Sequence, residues 1–347
     1  MKTVHIVGGG ITGCSLAHFL KDKYDVRLYE SSDSLGGLLK THLSIEGIPY
    51  QNGIFTINTQ SKWVEDLIRK FSPLEPKVTF EKINPLIDFC SYDFPFTKAS
   101  IQTMPFHWRE SILLESEKTT GIYGDNLEKT ICHFYGKTIF ELFFDGFIQK
   151  LTGKKASEFS DSRWFDPYLR SIHTKKFSDE KFPDKSWAEI CEEMARGASI
   201  FFNSTVTAKD FSPGAVILTI RPDYFFDGRE LPLYRKSLFD MDSAMHTPQE
   251  PDTIYFPNYT PFFSMTHLGN IMYKDDKSII IKRVIGEQGE TCTPIQTVEN
   301  MTTIKNYLTS KPSYFFCGPQ ANFSSMTISQ CIESAANTAA LVKRSLG

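Results

Sequence analysis

The chain has 347 residues, of which 41% are hydrophobic and 14% aromatic, and its formal net charge is −3. This length predicts about two domain-sized units, and the composition is that of a packed globular protein rather than a disordered one. The small net charge gives no long-range attraction to nucleic acid or to an anionic membrane, so we expect neither as a partner.

The seven cysteines are scattered, without a CxxC pair or any spacing typical of a metal site. Such thiols are typical of a reducing compartment. The chain starts directly with a predicted strand, and no apolar run approaches the roughly 20 residues of a membrane span. We therefore expect a cytoplasmic protein without a metal centre.

The amino-terminal segment predicts a strand–helix–strand unit. Residues 3–7 are typical of a buried strand, a glycine turn follows at 8–10, 11–22 favour a helix, and 25–29 favour a second strand. This order implies two parallel strands joined by a right-handed crossover.

The middle of the chain favours helices first and strands later. Apolar residues at three-to-four spacing predict helices between about 98 and 160, most clearly over 126–152, and a further helix over 186–196. A last helix, from about 327 to 345, follows Gly318. The strands predicted after residue 197 lie at 198–202, 216–220, 253–256, 278–282 and 314–317.

The turn at 8–13 has the spacing GxGxxG between a strand and a helix. Gly8 allows the tight turn, Gly10 lets a pyrophosphate approach the backbone, and Gly13 lets helix and strand pack closely. Free N–H groups and the helix dipole then favour phosphate. Glu30, at the end of the second strand, is placed to accept a hydrogen bond from a ribose hydroxyl. The pattern predicts a dinucleotide site, and a turn that serves packing alone is the alternative.

The residues after Glu30 favour FAD over NAD. The glycine pair Gly36-Gly37 resembles the extended motif of two-dinucleotide flavoproteins, in which the last helix also points its N-terminus at the flavin. An NAD(P) domain with a coincidental glycine pair is the alternative. The predicted cofactor contacts are Gly8, Gly10, Thr12, Gly13, Glu30, Ser31, Gly36, Gly37, Leu38, Gly318, Thr327 and Ile328.

We thus expect an α/β fold: an FAD-binding Rossmann-like domain with an inserted helical bundle and an antiparallel β-sheet. The Rossmann-like domain is predicted to be discontinuous, because its segments lie at both ends of the chain. The predicted boundaries are 1–75, 186–214 and 310–347 for this domain, 98–165 for the helical domain, and 76–97, 166–185 and 215–309 for the sheet domain that binds substrate.

Short segments along nearly the whole chain match the motifs of one family. The matching segments are Asn84-Pro85-Leu86, Phe94 to Thr97, Asp125 to Glu128, Gly146 to Gly153, Arg170 with Phe177-Ser178-Asp179, Phe225 to Asp227, and Tyr234 to Leu238. In the order and spacing of these segments, the chain resembles the UDP-galactopyranose mutase family from end to end.

This resemblance implies an FAD-dependent mutase that interconverts pyranose and furanose forms of a nucleotide-activated sugar. In that family reduced flavin attacks the anomeric carbon through N5 and displaces the nucleoside diphosphate, without net redox. NAD(P)H or another reductant would have to reduce the flavin first. A homodimer is a further family-level expectation.

The sequence departs from the family where the substrate should bind. Ser264 stands in the place of a second pyrophosphate arginine, Thr152 replaces a tryptophan near the nucleobase, and Ser325 falls in the place of a tyrosine pair. These changes predict that the substrate is a deoxy sugar carried by CDP or dTDP rather than UDP-galactose. The cations that could replace the missing arginine are Lys175, Lys176, Arg229, Arg235 and Lys236.

The resemblance and these departures define the candidate substrate site. The predicted catalytic residues are Arg170, Tyr234, Arg235 and His267, and the predicted substrate-binding residues are Phe147, Thr152, Arg170, Ser264 and Ser325. Structural roles are the alternatives: a surface ion pair for Arg170 and core packing for Phe147. Two other functions also stay open, an FAD oxidoreductase of the amine-oxidase type and an inactive FAD-binding homologue.

Overall fold

The structure is a computed structural model. It describes residues 1–58, 61–76, 81–85, 90–94, 96–160, 165, 180–211, 215–227, 233–245, 252–258, 260–268, 277–286 and 291–347.

The strands are short except for β12 and β15. In chain order they are Thr3–Val7 (β1), Asp25–Tyr29 (β2), His42–Leu43 (β3), Pro49–Tyr50 (β4), Ile57–Asn58 (β5), Leu74–Pro76 (β6), Glu81–Ile83 (β7), Tyr92–Phe94 (β8), Glu180–Pro183 (β9), Ser199–Phe201 (β10), Val216–Leu218 (β11), Tyr234–Met245 (β12), Thr253–Tyr255 (β13), Phe262–His267 (β14), Lys277–Ile285 (β15), Thr291–Pro294 (β16) and Tyr314–Phe316 (β17).

The α-helices concentrate in the middle of the chain and at its end. They are Ile11–Leu20 (α1), Lys62–Ile68 (α2), Lys98–Gln102 (α3), Phe106–Ser116 (α4), Leu127–Tyr135 (α5), Lys137–Ile139 (α6), Asp145–Thr152 (α7), Trp187–Ala195 (α8), Pro222–Asp227 (α9), Val298–Thr309 (α10), Gly318–Ala321 (α11) and Ile328–Leu346 (α12).

The chain divides into two compact units, which we name by their main sheets. The parallel-sheet unit contains Met1–Lys77, Asp179–Pro232 and Thr302–Gly347. The mixed-sheet unit contains Val78–Ser178 and Leu233–Met301. The helices predicted over 98–165 and the long strands therefore belong to one unit rather than to two domains.

The parallel-sheet unit is built on a five-stranded sheet in the order β10-β2-β1-β11-β17, with every neighbouring pair parallel. Helices α1, α2, α8 and α12 bury their apolar faces in its main core. Two smaller sheets, β3-β4 and β5-β9-β6, lie in the same unit. This is the predicted α/β Rossmann-like architecture.

The predicted boundary at residue 215 is wrong. Residues Val216–Leu218 pair in parallel with β1 on one side and β17 on the other, so they belong to the parallel sheet and not to the antiparallel one. The physical reason is that a short apolar segment does not specify its partner strands, and pairing with β1 and β17 determines its sheet. All three of its residues are apolar and fully buried, which is typical of a strand covered on both faces.

The mixed-sheet unit contains a seven-stranded sheet in the order β16-β12-β15-β14-β13-β7-β8. Its neighbouring strands are antiparallel except for the parallel pair β13–β7. Aromatic side chains from the helices and the sheet form its core, which accounts for the high phenylalanine content. The fully buried phenylalanines of this core are Phe94, Phe96, Phe143, Phe144, Phe147, Phe159, Phe165 and Phe263.

Helix α7 is fastened to the turn between β13 and β14. A side chain at Gly146 would overlap the side chain of Asn258 and crowd the carbonyl of Pro257, so the helix backbone packs directly on the turn there. One helical turn later, Lys150 Nζ donates to Phe256 O at 2.6 Å and to Phe262 O at 3.3 Å. Burial lowers the pKa of Lys150 to about 8. The motif that contains Gly146 and Lys150 therefore has a structural function.

Glu65 on α2 generates a prediction about stability. This side chain is buried, and its Oε1 accepts from Lys181 Nζ at 2.6 Å and from Arg69 Nε at 3.0 Å. The bond from Lys181 is the main cause that holds the pKa of Glu65 below its usual value. A depressed carboxyl pKa contributes stability above the unfolded-state pKa, and this contribution is lost as the pH falls through the folded-state pKa.

We expect Glu65→Gln to lower the free energy of unfolding by about 1–3 kcal/mol at neutral pH, the scale of hydrogen bonds to charged groups. The difference should shrink as the pH falls below the usual range of glutamate. Urea unfolding over this pH range measures it. Asp66→Asn is the matched control, because Asp66 is 55% exposed and its ion pair with Lys62 should contribute little. Equal effects of the two substitutions at neutral pH would contradict the prediction.

Candidate functional site

The first candidate site lies at the carboxyl edge of the parallel sheet. Because its five strands are parallel, the segments that follow them leave at the same edge, where open α/β sheets bind ligands. Gly8 follows β1, Glu30 follows β2 and Cys317 follows β17. The structure therefore brings together segments that are about 300 residues apart in the chain.

Gly8 and Gly13 hold the turn between β1 and α1 in shape. Gly8 has φ 106°, and a Cβ there would overlap the Thr219 side chain. A Cβ at Gly13 would overlap the carbonyl oxygen of Gly8. Thr219 Oγ1 in turn donates to Val7 O at 2.9 Å and thereby fixes the same turn from the neighbouring strand. These contacts fix where α1 begins.

Gly10 differs from the other two glycines because space is open beside it. A Cβ at Gly10 would meet no atom nearer than Gly36 O at 3.9 Å. Gly10 is also the N-cap of α1 without a side-chain cap, and the first turn of this helix contains no acidic residue. The uncapped N–H groups and the positive end of the helix dipole suit a phosphate at this point.

The second glycine pair folds against this turn. Gly36 N donates to Gly9 O at 2.9 Å, and a Cβ at Gly37 would lie 3.2 Å from Gly10 Cα. Both residues have positive φ, 113° and 56°, which glycine adopts without strain. Leu38, which follows this pair, is 44% exposed. The two glycine segments thus form one backbone-lined cradle, which we call the glycine cradle (Gly8–Gly10 with Gly36-Gly37).

Glu30 lies where the sequence predicts it, but its carboxylate is already engaged. Oε2 accepts from Gly9 N at 2.7 Å, and Oε1 accepts from Ser32 N at 2.8 Å and Ser32 Oγ at 2.9 Å. The Ser31 hydroxyl donates to the same Oε1 at 3.3 Å. A carboxylate has about four acceptor positions, so a ribose hydroxyl would have to replace a donor such as Ser31. Glu30 therefore orients the glycine cradle as well.

The side chains of Thr12 and Thr327 make contacts within the fold, and a role of these residues as cofactor contacts, through their backbone N–H groups, stays a prediction. A Cβ at Gly318 would lie 2.7 Å from Thr12 Oγ1, so these two predicted contacts pack on one another. The Thr327 hydroxyl accepts from Gln330 N at 3.3 Å in a capping box. Ile328 begins α12, and its backbone N–H is among those without an acceptor inside that helix.

Sequence reasoning missed the segment that follows β10. Asn203 N donates to Ser32 O and Ser204 N donates to Glu30 O, both at 2.9 Å. Asn203 adopts φ 51°, an uncommon value for a residue with a side chain. The sequence predicts the strand at 198–202, but it does not indicate that this strand pairs with β2 and so brings the following residues next to Glu30. This segment forms the border of the candidate site beside Glu30.

The residues at this edge fit a dinucleotide. The glycine cradle would be filled by a Cβ at Gly10, α1 presents uncapped N–H groups, and Glu30 lies next to the turn. These are the backbone donors and the open approach that a pyrophosphate requires.

The second candidate site lies in the mixed-sheet unit and contains two arginines. Arg235 on β12 is directly opposite Thr293 on β16, so their side chains share a face. Arg283 on β15 donates through Nη2 to Thr293 Oγ1 and through Nε to Ser237 Oγ, both at 3.1 Å. Ser237, two residues after Arg235, shares that face too. We call Arg235 and Arg283 the arginine pair.

Arg235 lies at the carboxyl end of α7. Its guanidinium would be 3.7 Å from a Cβ at Gly153, the residue with φ 74° that ends this helix. Its Nε is buried and has no hydrogen-bond partner among the described residues. The negative end of the helix dipole favours the cation, but leaves its N–H groups available to a ligand.

Arg283 is a residue that sequence reasoning missed. Register places it directly opposite Ser264, which the sequence aligned with the missing arginine of the family. Strand β15 thus supplies a guanidinium next to the position on β14 where the family has its arginine. No sequence signal could have found it, because a bulge between Phe262 and Ser264 sets this register.

Two predicted substrate contacts in this unit are corrected. Phe147 is fully buried, and its ring centroid lies 4.6 Å from that of Phe263, so it belongs to the aromatic core. Thr152 is also buried, and its hydroxyl donates to Ile148 O at 2.7 Å and accepts from Lys154 N at 3.1 Å. Thr152 therefore closes the end of α7.

The remaining predicted residues are dispersed. Tyr234 and Ser264 are buried strand residues, and His267, also buried, ends β14 with its N–H donating to Asp252 O at 2.8 Å. Ser325 is exposed in the parallel-sheet unit, between α11 and α12. Arg170, Lys175, Lys176 and Arg229 lie outside the described residues.

Among the described helices, none combines the length and the apolar character that crossing a membrane requires. The described residues contain no group of three or more His, Cys, Asp or Glu side chains that could hold a metal ion.

Comparison with known proteins supports the dinucleotide fold. Residues 6–71 match the family of NAD(P)-binding Rossmann-like domains. No curated protein sequence matches the chain.

Solved structures that are similar to this one include a mutase, an oxidase and an oxidoreductase. A structure of reduced UDP-galactopyranose mutase has a TM-score of 0.78 and 14% identity, and the match covers 100% of this chain and 96% of that one. Putrescine oxidase gives a TM-score of 0.63 at 13% identity, covering 99% and 100%. An oxidoreductase from Methanosarcina mazei gives 0.62 at 12% identity, covering 97% and 100%. At these identities the likeness establishes the fold: a Rossmann-like dinucleotide-binding domain with inserted helices and a second sheet.

Proposed function

We propose that this chain is an FAD-dependent mutase that interconverts the pyranose and furanose forms of a nucleotide-activated sugar. The arginine pair is the observation on which this proposal depends. A chain with one cradle for a dinucleotide and a second, separate cationic face has the means to hold two pyrophosphates. A flavin dinucleotide and a sugar nucleotide together contain two.

FAD is favoured over NAD(P) by the second half of the glycine cradle. Gly36 and Gly37 extend the cradle beyond the turn that either dinucleotide would use, and the similar solved structures include a mutase and an amine oxidase. Bound in its reduced form, FAD would supply an electron-rich centre able to attack the anomeric carbon of a sugar. NAD(P)H or another reductant would keep it reduced.

The arginine pair would bind the nucleoside diphosphate and stabilise its charge as it leaves. Guanidinium–phosphate hydrogen bonds are charge-assisted and about twice as strong as neutral ones. Arg283 is already oriented by Ser237 and Thr293, so little reorganisation accompanies binding. Arg235 would contribute its guanidinium, whose Nε has no hydrogen-bond partner among the described residues.

An oxidoreductase of the amine-oxidase type is the second candidate, because putrescine oxidase shares the fold. Charge is the argument against it. A diamine such as putrescine is cationic at neutral pH, and the arginine pair would repel it, whereas the same pair attracts a pyrophosphate. The third possibility, an inactive FAD-binding homologue, is tested by the same assays.

The sugar we propose is a deoxy sugar carried by CDP or dTDP. Thr152 offers neither a stacking surface nor a hydroxyl to a nucleobase, because it is buried and closes α7. Losing a base–aromatic stack costs roughly 1–3 kcal/mol, or about 5- to 150-fold in affinity. Ser325 likewise offers fewer hydrogen-bonding groups to sugar hydroxyls than a tyrosine pair would. A site with fewer donors tolerates a sugar with fewer hydroxyls.

The first prediction concerns the cofactor. The purified protein should be yellow, and Gly10→Val should abolish its flavin absorbance, because the side chain would occupy the open space beside Gly10. Gly286→Val is the control, since nothing lies within 4 Å of a Cβ there, its φ is not in the left-handed region, and it belongs to the mixed-sheet unit rather than to the unit of the cradle. Stoichiometric FAD in the Gly10 variant would place the site elsewhere.

The second prediction concerns the arginine pair. Arg235→Ala should lower turnover by about 100-fold, the scale of losing one preorganised charge contact, and leave the FAD content unchanged. Lys118→Ala, which removes an exposed cation from the same unit, should have no effect. Turnover of the Arg235 variant within about twofold of wild type would exclude this residue as a phosphate ligand.

The third prediction concerns substrate choice. Chromatography of products from the reduced enzyme should detect little conversion of UDP-galactopyranose and faster conversion of a CDP- or dTDP-linked deoxy sugar. Rates on UDP-galactopyranose that equal those on every other sugar nucleotide would refute the proposed substrate class.

A further inference from the structure

The hairpin formed by β3 and β4 has two buried polar atoms at its base that the described residues do not satisfy. Gln51 is fully buried, and its Oε1 has no hydrogen-bond partner there. Thr41 Oγ1 is buried and lacks a partner in the same way. A buried polar atom without a partner is costly, so each one in a folded protein requires an explanation.

These two residues face each other. His42 pairs with Tyr50 in the antiparallel hairpin, and continuing this register by one residue places Thr41 opposite Gln51. Residues directly opposite in an antiparallel pair project to the same side. The register therefore places both residues on the same side of the hairpin base, and neither polar atom is the hydrogen-bond partner of the other.

Gln51 also connects this pair to the glycine cradle. Its Nε2 donates to Leu39 O at 3.1 Å, and Leu39 ends the short 3-10 helix Gly37–Leu39. At about 2 Å of rise per residue, Leu39 lies roughly 4 Å along this helix from Gly37, which borders Gly10. Gln51 is thus hydrogen-bonded to the end of the short segment that directly follows the glycine cradle in the chain.

We propose that Thr41 and Gln51 form a hydrogen-bonding subsite for the half of the cofactor that lies beyond the pyrophosphate, the ribityl–flavin half. The inference deepens the proposed function and depends on FAD as the cofactor. Gln51 Oε1 accepts a hydrogen bond from an O–H or N–H of this half, and the Thr41 hydroxyl can donate or accept. ADP, which shares the adenosine and the pyrophosphate with FAD, does not reach the subsite.

The test compares FAD with ADP on the deflavinated full-length protein. Thr41→Val removes the hydroxyl and keeps the shape, and Thr41→Ser is its matched control because it keeps the hydroxyl. Quenching of flavin fluorescence gives the Kd for FAD, and competition gives the Kd for ADP. We expect Thr41→Val to weaken FAD roughly 5- to 30-fold, the scale of one buried hydrogen bond, and to leave ADP unchanged. Thr41→Ser should stay close to wild type for both.

The melting temperature of the ligand-free protein separates binding from folding. Because Thr41→Val replaces an unsatisfied hydroxyl by a methyl group, its melting temperature should be unchanged or higher. Gln51→Leu should also weaken FAD selectively, but with a lower melting temperature, since it loses the bond to Leu39 O.

Three outcomes would overturn the subsite. An unchanged FAD Kd in Thr41→Val would do so, as would equal weakening of FAD and ADP, or a fall in the melting temperature that accounts for the lost affinity. Wild-type protein that binds ADP but not FAD would instead refute the proposed cofactor, and the subsite with it.

Discussion

The start of helix α1 depends on the contact between Gly13 and the carbonyl of Gly8. Any side chain at position 13 would overlap that oxygen, and a longer residue at position 8 would overlap Thr219. The close contact places the uncapped end of the helix directly after β1, and Gly10 is left with open space beside it. The rest of the parallel-sheet edge is arranged around this point. Glu30 binds Gly9 N, and Gly36 binds Gly9 O, so both later segments attach to the same short turn.

The candidate site of the mixed-sheet unit contains charged side chains, whereas that of the parallel-sheet unit is lined mainly by backbone. Its core is built from phenylalanines, and two arginines lie at the margin of that core. The hydroxyls of Ser237 and Thr293 accept hydrogen bonds from Arg283, and Arg235 lies at the carboxyl end of a helix. In the proposed function these two guanidinium groups bind the pyrophosphate through charge-assisted hydrogen bonds.

Local pattern was sufficient to predict much of this fold. The apolar run at 3–7, the glycines that follow it and the helix from Ile328 lie where the sequence predicts them. The sheet to which a strand belongs, and its neighbours in that sheet, were harder to predict. The strand at Val216–Leu218 was assigned to the wrong sheet, because three buried apolar residues suit either sheet and only pairing with β1 decides. Arg283 was missed for a related reason: its proximity to Ser264 depends on cross-strand register.

Side-chain roles were the least predictable part of the site. Thr152 and Thr327 have the right residue type to bind a ligand, but both close the ends of helices, and such local bonds compete with ligand contacts. Phe147 lies in a segment that matches the family, but its side chain packs in the aromatic core. Backbone contacts of the glycines could be predicted, since they follow from the absence of a side chain.

In the proposed reaction the bound flavin takes part without net redox while the chain holds a nucleotide-activated sugar. The direct measurement is anaerobic turnover of a sugar nucleotide by the chemically reduced protein, with the flavin absorbance followed throughout. We expect many equivalents of isomerised sugar nucleotide per flavin, with the flavin still reduced at the end. Flavin that becomes oxidised in step with product, or substrate oxidation by the oxidised protein without prior reduction, would contradict the account.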